Sequence, residues 1–324
     1  MKSYFLKINL LLVIVVSFTQ CTDETLEPTI FETNVVDLDS TSDTYIFDKY
    51  LYNNFLNPYN LRFNYKMQDV GADMNYNLVP ASYLNSQKMA VLTKYLWFDV
   101  YSKVVSPSFL KKFGPRIIHL IGSPAYNPAN GTMILGLAEG GIKISLFRVN
   151  SINTNDVDLL NELYFKTMHH EFAHILHQTI SYPKDYNLIS FKYYEPFSWQ
   201  DRDERVTASL GFVSPYGSSQ TREDFVEVIA NYIVKSDTQW AKILEYASKG
   251  WVKNPTTKVV TENIVNGVNQ DNDLVNGKEV ILQKLSICRE WMAVAWGIDL
   301  DALRAEVQTR QNNINMTQLL SEIE

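Results

Sequence analysis

The chain has 324 residues, enough for one large core or two smaller ones, with 46% apolar and 20% charged residues, an ordinary globular balance. A net charge of -7 and the lack of a basic patch with interleaved aromatics exclude nucleic acid as the expected partner. Tyrosine is abundant, with 19 copies against 6 tryptophans, which suits sugar or peptide contacts without proving either.

In chain order, the first segment stands outside any fold. Lys2 and Lys7 flank a basic start, and Ile8 to Phe18 is apolar apart from Asn9 and Ser17. Such a run is a signal-peptide core and too short to span a bilayer stably. No small-x-small cleavage site follows; the run ends Ser17-Phe18-Thr19-Gln20-Cys21. That ending resembles the lipobox of bacterial lipoproteins, which implies that residues 1–20 are removed and Cys21 is acylated. An ordinary secreted protein with an incidental cysteine is the alternative. Acyl chains contribute about 0.8 kcal/mol per buried methylene, so several would anchor the chain to a membrane. With Cys21 lipidated, Cys288 is left alone in the apolar stretch Val280 to Trp296 and is expected to be buried. Residues 21–42 are acidic and polar and read as a flexible tether; the run resembles surface-export signals of some Gram-negative lipoproteins.

The folded part is expected at 43–324, with a helical and β part at 43–178 and a helical part at 179–324. Asp43 to about Asn57 has helical apolar spacing, Leu61 to Met67 alternates like a strand, and Pro80 is expected to open a helix through Val105. A short helix to Phe113 ends at Gly114-Pro115. Arg116 to Ile121, Thr132 to Ala138 and Ile142 to Val149 are candidate strands, separated by Pro- and Asn-Gly-rich turns. Asn155 to Gln178 reads as one long helix capped by Asp156 or Asn153. Ser181 to Ser219 is irregular, and its aromatic stretch Tyr182 to Trp199 either lines a cleft or roofs the core. Helices are expected again at 222–235, 238–248, 273–296 and 299–311, with an asparagine-rich loop at 263–276. Strands precede helices without βα alternation, so the class is α+β.

Four of the five histidines fall within nine residues of the long helix, at His169, His170, His174 and His177. His170-Glu171-Phe172-Ala173-His174 is an H-E-x-x-H. Imidazoles four residues apart share one helix face and can reach a single metal ion, and Glu171 points into the same cleft as a candidate base. A surface helix that happens to carry histidines is the bland reading. A catalytic zinc usually takes three protein ligands and keeps a fourth position open. A metzincin would have its third histidine where this chain has Ile180, so that reading fails. His177 would crowd the same face and is expected to support a ligand or pack in the core. The better third ligand is Glu223, with Glu227 one turn on to orient a histidine ring; the alternative is a solvated face bearing Glu223, Asp224 and Glu227.

His170-Glu171-x-x-His174 followed by Glu223-x-x-x-Glu227 resembles the gluzincin arrangement of zinc metallopeptidases. Ser214-Pro215-Tyr216-Gly217 is similar to a turn of the lethal-factor-type toxin peptidases, with Tyr216 seven residues before Glu223. That resemblance implies a zincin-like fold with a small mixed or antiparallel sheet, and a Tyr216 phenol that donates to the oxyanion. A plain turn tyrosine is the other reading. Over its length the chain resembles the substrate import-associated zinc metallohydrolase lipoproteins, which are encoded beside a TonB-dependent importer and its SusD-like partner. The likeness runs through the lipoprotein start, the Gly136 to Leu146 segment with Gly140-Gly141, the H-E-x-x-H, the E-D-F-x-E helix and the helical C-terminus.

The resemblance implies one Zn2+ per chain held by His170, His174 and Glu223, with Glu171 as the base that hydrolyses peptide bonds. It also implies a peptide or protein substrate, and an envelope lipoprotein at the outer membrane, exposed at the surface and associated with an importer. Gly140 to Phe147 is expected to be an edge strand to which an extended substrate pairs, with Gly140 and Gly141 allowing close approach, although an ordinary hairpin explains the glycines equally well. Two other functions share these residues: a zinc hydrolase of a non-peptide substrate, and a non-catalytic zinc-containing binding lipoprotein. An intact Glu171 argues against the second.

Overall fold

The computed structural model describes residues 38–67, 77–127 and 142–324, with the backbone of 131, 133–134 and 136–139. Cys21, the leader and most of the tether lie outside the described residues, as do Gly140 and Gly141.

Helix α1 runs from Tyr45–Leu51 through a π-helical turn at Tyr52–Leu56 to Asn57–Tyr59. Strand β1 (Arg62–Asn64) follows. The second helix does not begin at Pro80. Its cap is Ser82, whose hydroxyl accepts from the Asn85 amide, and α2 runs from Tyr83–Thr93 through a π-helical turn at Lys94–Phe98 to Asp99–Val104. Pro80 instead forms an isolated bridge with Ile121, a role its fixed φ allows and a first helical turn did not claim. The short helix α3 (Phe109–Phe113) ends at Gly114 as the Gly-Pro pair predicts.

The sheet is small and mixed. Strands β1, β2 (Ile117–Leu120) and β6 (Lys143–Leu146) run parallel, with Phe63 opposite Ile118 and Ile118 opposite Ile144. Strand β5 (Gly136–Glu139) joins antiparallel, with Ala138 opposite Ile144. The order is β1-β2-β6-β5. Ile118, Leu120, Ile144 and Leu146 are fully buried on one face, and His119 and Ser145 are nearly so on the other, as befits strands covered on both sides. The expected strand at 132–138 is two pieces, because β4 (Met133–Ile134) pairs with β3 (Ala125–Tyr126) while β5 pairs with β6.

This order corrects the expected substrate edge. The strand after Gly140-Gly141 is β6, which has β2 on one side and β5 on the other, so its backbone groups are already used. Among the described residues the outermost strand on that side of the sheet is β5.

Helix α4 runs from Val157–Leu160 through a π-helical turn at Asn161–Phe165 to Lys166–Thr179, capped by Asp156, whose Oδ1 accepts from the Leu159 amide at 2.9 Å. Short helices α5 (Tyr186–Ile189) and α6 (Glu204–Ser209) interrupt the irregular segment. Then come α7 (Thr221–Val234), α8 (Asp237–Ala247), α9 (Gly277–Trp296), α10 (Leu300–Gln311) and α11 (Met316–Ser321). A full capping box between Ser236 and Gln239 starts α8, and Asn276 and Asp299 cap α9 and α10. Two short hairpins were not expected: Trp251–Lys253 with Val260–Glu262, and Ile264–Val265 with Val268–Asn269 inside the asparagine-rich loop. Among the described residues no helix is long and apolar enough to cross a membrane.

One hydrophobic core joins Phe47, Leu92, Phe98, Leu146, Phe172, Phe225, Ile281 and Leu303, so the parts before and after residue 178 share it. Cys288 lies in it, fully buried, as expected. The aromatic stretch 182–199 does both things proposed for it. Tyr182 stacks on Phe225 and Tyr186 is fully buried, so these roof the core. Trp199 packs edge-on against Tyr216 at 4.9 Å, at the site described below.

Helix α7 is buried almost throughout, its three carboxylates included, with Arg222 exposed. Asp224 does not face solvent: it pairs with Lys284 of α9 at 2.7 Å, both side chains 0% exposed. Tyr194 donates to the same carboxylate, and Lys284 also donates to the carbonyl of Gly211. Gly211 has φ 88°, and a Cβ there would meet Val280 at 2.3 Å, so only glycine fits the bend that leads into 212–216. The pair thus locks α7, α9 and the turn before Tyr216 together. Lys284→Ala, which strands a buried carboxylate, is expected to lower unfolding free energy by about 3–5 kcal/mol in chemical denaturation, whereas Asp224→Leu/Lys284→Met should recover most of it. A loss below about 1 kcal/mol in the single variant would mean that the pair does not hold these elements.

Candidate metal centre

Two helices build the centre. Along α4, Lys166, His170 and His174 follow one another at four-residue spacing on one face, and along α7 Glu223, Glu227 and Asn231 do the same. The helices are tied lengthwise by Asn161, whose amide donates to the Val234 carbonyl at 3.0 Å and accepts from Gln311 of α10 at 2.7 Å. The π-helical turn that contains Asn161 comes immediately before the segment carrying the histidines. Phe172 and Leu176 bury the opposite face.

Where the rows meet, Glu223 Oε2 lies 3.0 Å from His170 Nε2 and 3.2 Å from His174 Nε2. The three candidate ligand atoms lie within 4.8 Å of one another. Donor atoms sharing one tetrahedral zinc at about 2.0–2.1 Å lie about 3.3 Å apart, which the two Glu223–histidine distances match. Two imidazole nitrogens and a carboxylate oxygen are also a donor set suited to zinc. Among the described residues no fourth histidine, cysteine or carboxylate joins the three.

Each histidine is turned by a partner on its other nitrogen. Glu227 Oε1 lies 2.9 Å from His170 Nδ1. Glu227 is itself fixed: Ser214 Oγ donates to its Oε2 at 2.5 Å, the Asn231 amide donates to it at 3.1 Å, and Lys166 Nζ stands 3.7 Å away. His177 Nε2 lies 2.8 Å from Nδ1 of the candidate ligand His174, a position from which it can orient that ring. His169 points the other way into the core, beside the Tyr101 hydroxyl at 3.2 Å, and burial pushes its pKa down to about 3. It is neutral and takes no part in the centre.

The field at the centre is that of several carboxylates meeting two imidazoles. Burial works against charge on His170, but hydrogen bonds to Glu223 and Glu227 outweigh it and raise its pKa to about 9. Burial likewise opposes ionisation of Glu223, yet His170 and His174 hold it well below the carboxylate range. Glu227 is held low in the same way, against burial, by Lys166 first and then His170 and Ser214. Glu171 is different: it is half-buried, and burial raises its pKa, with Glu223 and Glu227 adding to the rise and the two histidines opposing it.

Tyr216 follows the Ser214-Pro215 turn, and its ring centroid lies 5.7 Å from that of His170. It is 37% exposed. Burial first, and then the Glu223 carboxylate beside it, hold its phenol well above its ordinary pKa, so it remains a hydrogen-bond donor. The turn is pinned by the Gly217 amide donating to Ser214 Oγ at 3.1 Å, so the serine that fixes Glu227 also fixes Tyr216.

The structure therefore brings Glu171, Tyr216, Glu223 and Glu227 to the two H-E-x-x-H histidines, and leaves Gly140 and Gly141 outside the described residues. Sequence reasoning missed Lys166, Ser214 and Asn231 as supports. The four-residue spacings on both helices were a signal for Lys166 and Asn231; nothing in the sequence marked Ser214 apart from its place in the quoted turn.

A crystal structure of a putative zinc-binding metallo-peptidase from Bacteroides caccae is similar to this chain, with 37% identity over 86% of this chain and 95% of that one, and a TM-score of 0.68. No curated protein matches the chain. Residues 40–301 match the family model described as putative zinc-binding metallo-peptidase, a span that includes the sheet, both ligand helices and the Tyr216 turn. The chain belongs to that zinc-binding metallo-peptidase family.

Proposed function

We propose that the protein is a gluzincin-like zinc peptidase that hydrolyses peptide bonds, with one Zn2+ per chain held by His170, His174 and Glu223. The observation that carries this reading is a set of three candidate ligands rather than four among the described residues, with Glu171 half-buried beside it. A structural zinc site is closed by four protein ligands and needs no base. When bound, zinc supplies Lewis-acid polarisation of the scissile carbonyl and acidifies water. Glu171 takes the proton of the attacking water on its carboxylate and delivers it to the leaving amine nitrogen. The phenol O–H of Tyr216 donates to the oxyanion that develops on the carbonyl. Glu227 and His177 hold the two imidazoles in orientation through their Nδ1 atoms. The free edge of β5 supplies backbone groups to an extended substrate, in place of the strand after Gly140-Gly141.

The protein is further proposed to be an envelope lipoprotein, anchored through Cys21 at the outer membrane and exposed at the surface. There it works beside a TonB-dependent importer and a SusD-like lipoprotein, on the strength of the leader, the acidic tether and the resemblance to import-associated metallohydrolases. Palmitate labelling that Cys21→Ala abolishes tests the anchor.

The purified protein is expected to bind about one zinc per chain and to cleave members of a peptide library. Cleavage should vanish with a chelator and return with zinc. Stoichiometric zinc without any cleavage would favour the non-catalytic binding lipoprotein. Cleavage confined to esters or other non-peptide bonds would favour the alternative hydrolase.

A further inference from the structure

Beside the metal centre, on the side walled by Tyr216, lies a cavity of about 730 Å3. That is room for a substrate side chain and part of its backbone, within the usual range for ligand pockets. Its aromatic wall is Trp199, Tyr216 and Tyr246, and its floor is formed where α4, α7 and α8 converge.

Three lysines and three carboxylates line it, but they are not placed alike. Asp158, Glu162 and Glu204 are exposed at the rim, where water solvates them. Lys166 and Lys235 are half-buried. Lys166 already has a partner in Glu227. Lys235 has none: among the described residues no carboxylate lies within ion-pair distance of its ammonium group. Burial, together with the Lys166 charge, makes its ammonium form costly, although the surrounding carboxylates offset part of this. A half-buried lysine facing a cavity, with no anion of its own, is a group that an incoming anion would stabilise.

We infer, on the basis of the peptidase reading above, that this cavity is a specificity pocket for a carboxylate of the substrate, bound by Lys235 with Lys166 behind it. The carboxylate has two possible sources. An acidic side chain next to the scissile bond makes the protein an endopeptidase selective for Asp or Glu; a free chain terminus makes it a carboxypeptidase. The rim carboxylates Asp158, Glu162 and Glu204 would attract a basic side chain that the two lysines repel, so the test must include lysine.

A peptide series places Glu, Gln or Lys in turn at each position flanking the cleaved bond, each peptide made as free acid and as C-terminal amide. Cleavage is measured as kcat/KM, and binding of the same fluorescein-labelled peptides to zinc-loaded Glu171→Gln protein is measured by anisotropy. At one position Glu is expected to exceed Gln by about ten- to a hundredfold, the range for a charge-assisted bond. Alternatively, if the terminal carboxylate is the ligand, the free acids should exceed the amides by a similar factor. Lys235→Arg should keep the preference, Lys235→Met should bring the ratio close to one, and Lys235→Glu should favour Lys over Gln. Equal cleavage of Glu, Gln and Lys peptides, a lysine preference in the wild type, or a preference that survives Lys235→Glu would overturn the inference while leaving the peptidase intact. Binding selectivity without cleavage of any peptide would uphold the pocket and sink the peptidase reading instead.

Discussion

Glu171→Gln should bind zinc with wild-type stoichiometry and affinity, yet cleave peptides about 10^2–10^4-fold more slowly. The substitution preserves shape and removes the ability to accept a proton. Glu171 is outside the ligand trio, whose atoms come from His170, His174 and Glu223, so metal retention is expected. Its environment favours the role. Burial raises its pKa, with Glu223 and Glu227 adding to the rise and His170 and His174 opposing it. Zinc titration by calorimetry and initial rates on the same preparation check both halves. Equal rates for variant and wild type would remove the base from the mechanism and with it the peptidase reading. Loss of zinc together with activity would mean that Glu171 is a ligand.

The parts of this site that could be read in the sequence are those dictated by helix periodicity. His170, Glu171 and His174 need only one helix to be brought together, and Glu223 and Glu227 need only another. What spacing could not supply was burial. Glu223, Asp224 and Glu227 in a row look like a solvated face; in the fold all three are buried, each for a different partner: the two histidine Nε2 atoms, Lys284, and His170 Nδ1 with Ser214. Those partners are contributed from 13 to 60 residues away, and no local pattern announces them. The sheet shows the same division. Its strands were recognisable from alternation at 61–67 and from the turns that bound the others, but pairing order depends on long-range contacts, and the strand expected at the edge proved to be internal. Helix boundaries shifted where a side chain outcompeted a backbone preference, as Ser82 did over Pro80.

Glu223→Ala should weaken zinc binding more than Glu227→Ala does. Loss of a residue that only orients a liganding histidine costs about 10–100-fold in metal affinity, and Glu227 holds that place, with its Oε1 on His170 Nδ1. Loss of Glu223 removes one of three ligand atoms, so an affinity loss of at least about 100-fold is expected. The two variants also differ in what they leave behind. Without Glu223, both Nε2 atoms lose the oxygen that now lies 3.0 and 3.2 Å from them, but the ring orientations set by Glu227 and His177 remain. Without Glu227, the trio keeps its atoms while the buried Ser214 hydroxyl and Asn231 amide lose an acceptor, so folding stability should fall as well. Competition against a chelator of known affinity, paired with denaturation of the metal-free proteins, separates the two effects. Should Glu223→Ala keep wild-type affinity, the third ligand lies elsewhere, and His177, already within 2.8 Å of His174, becomes the residue to replace next.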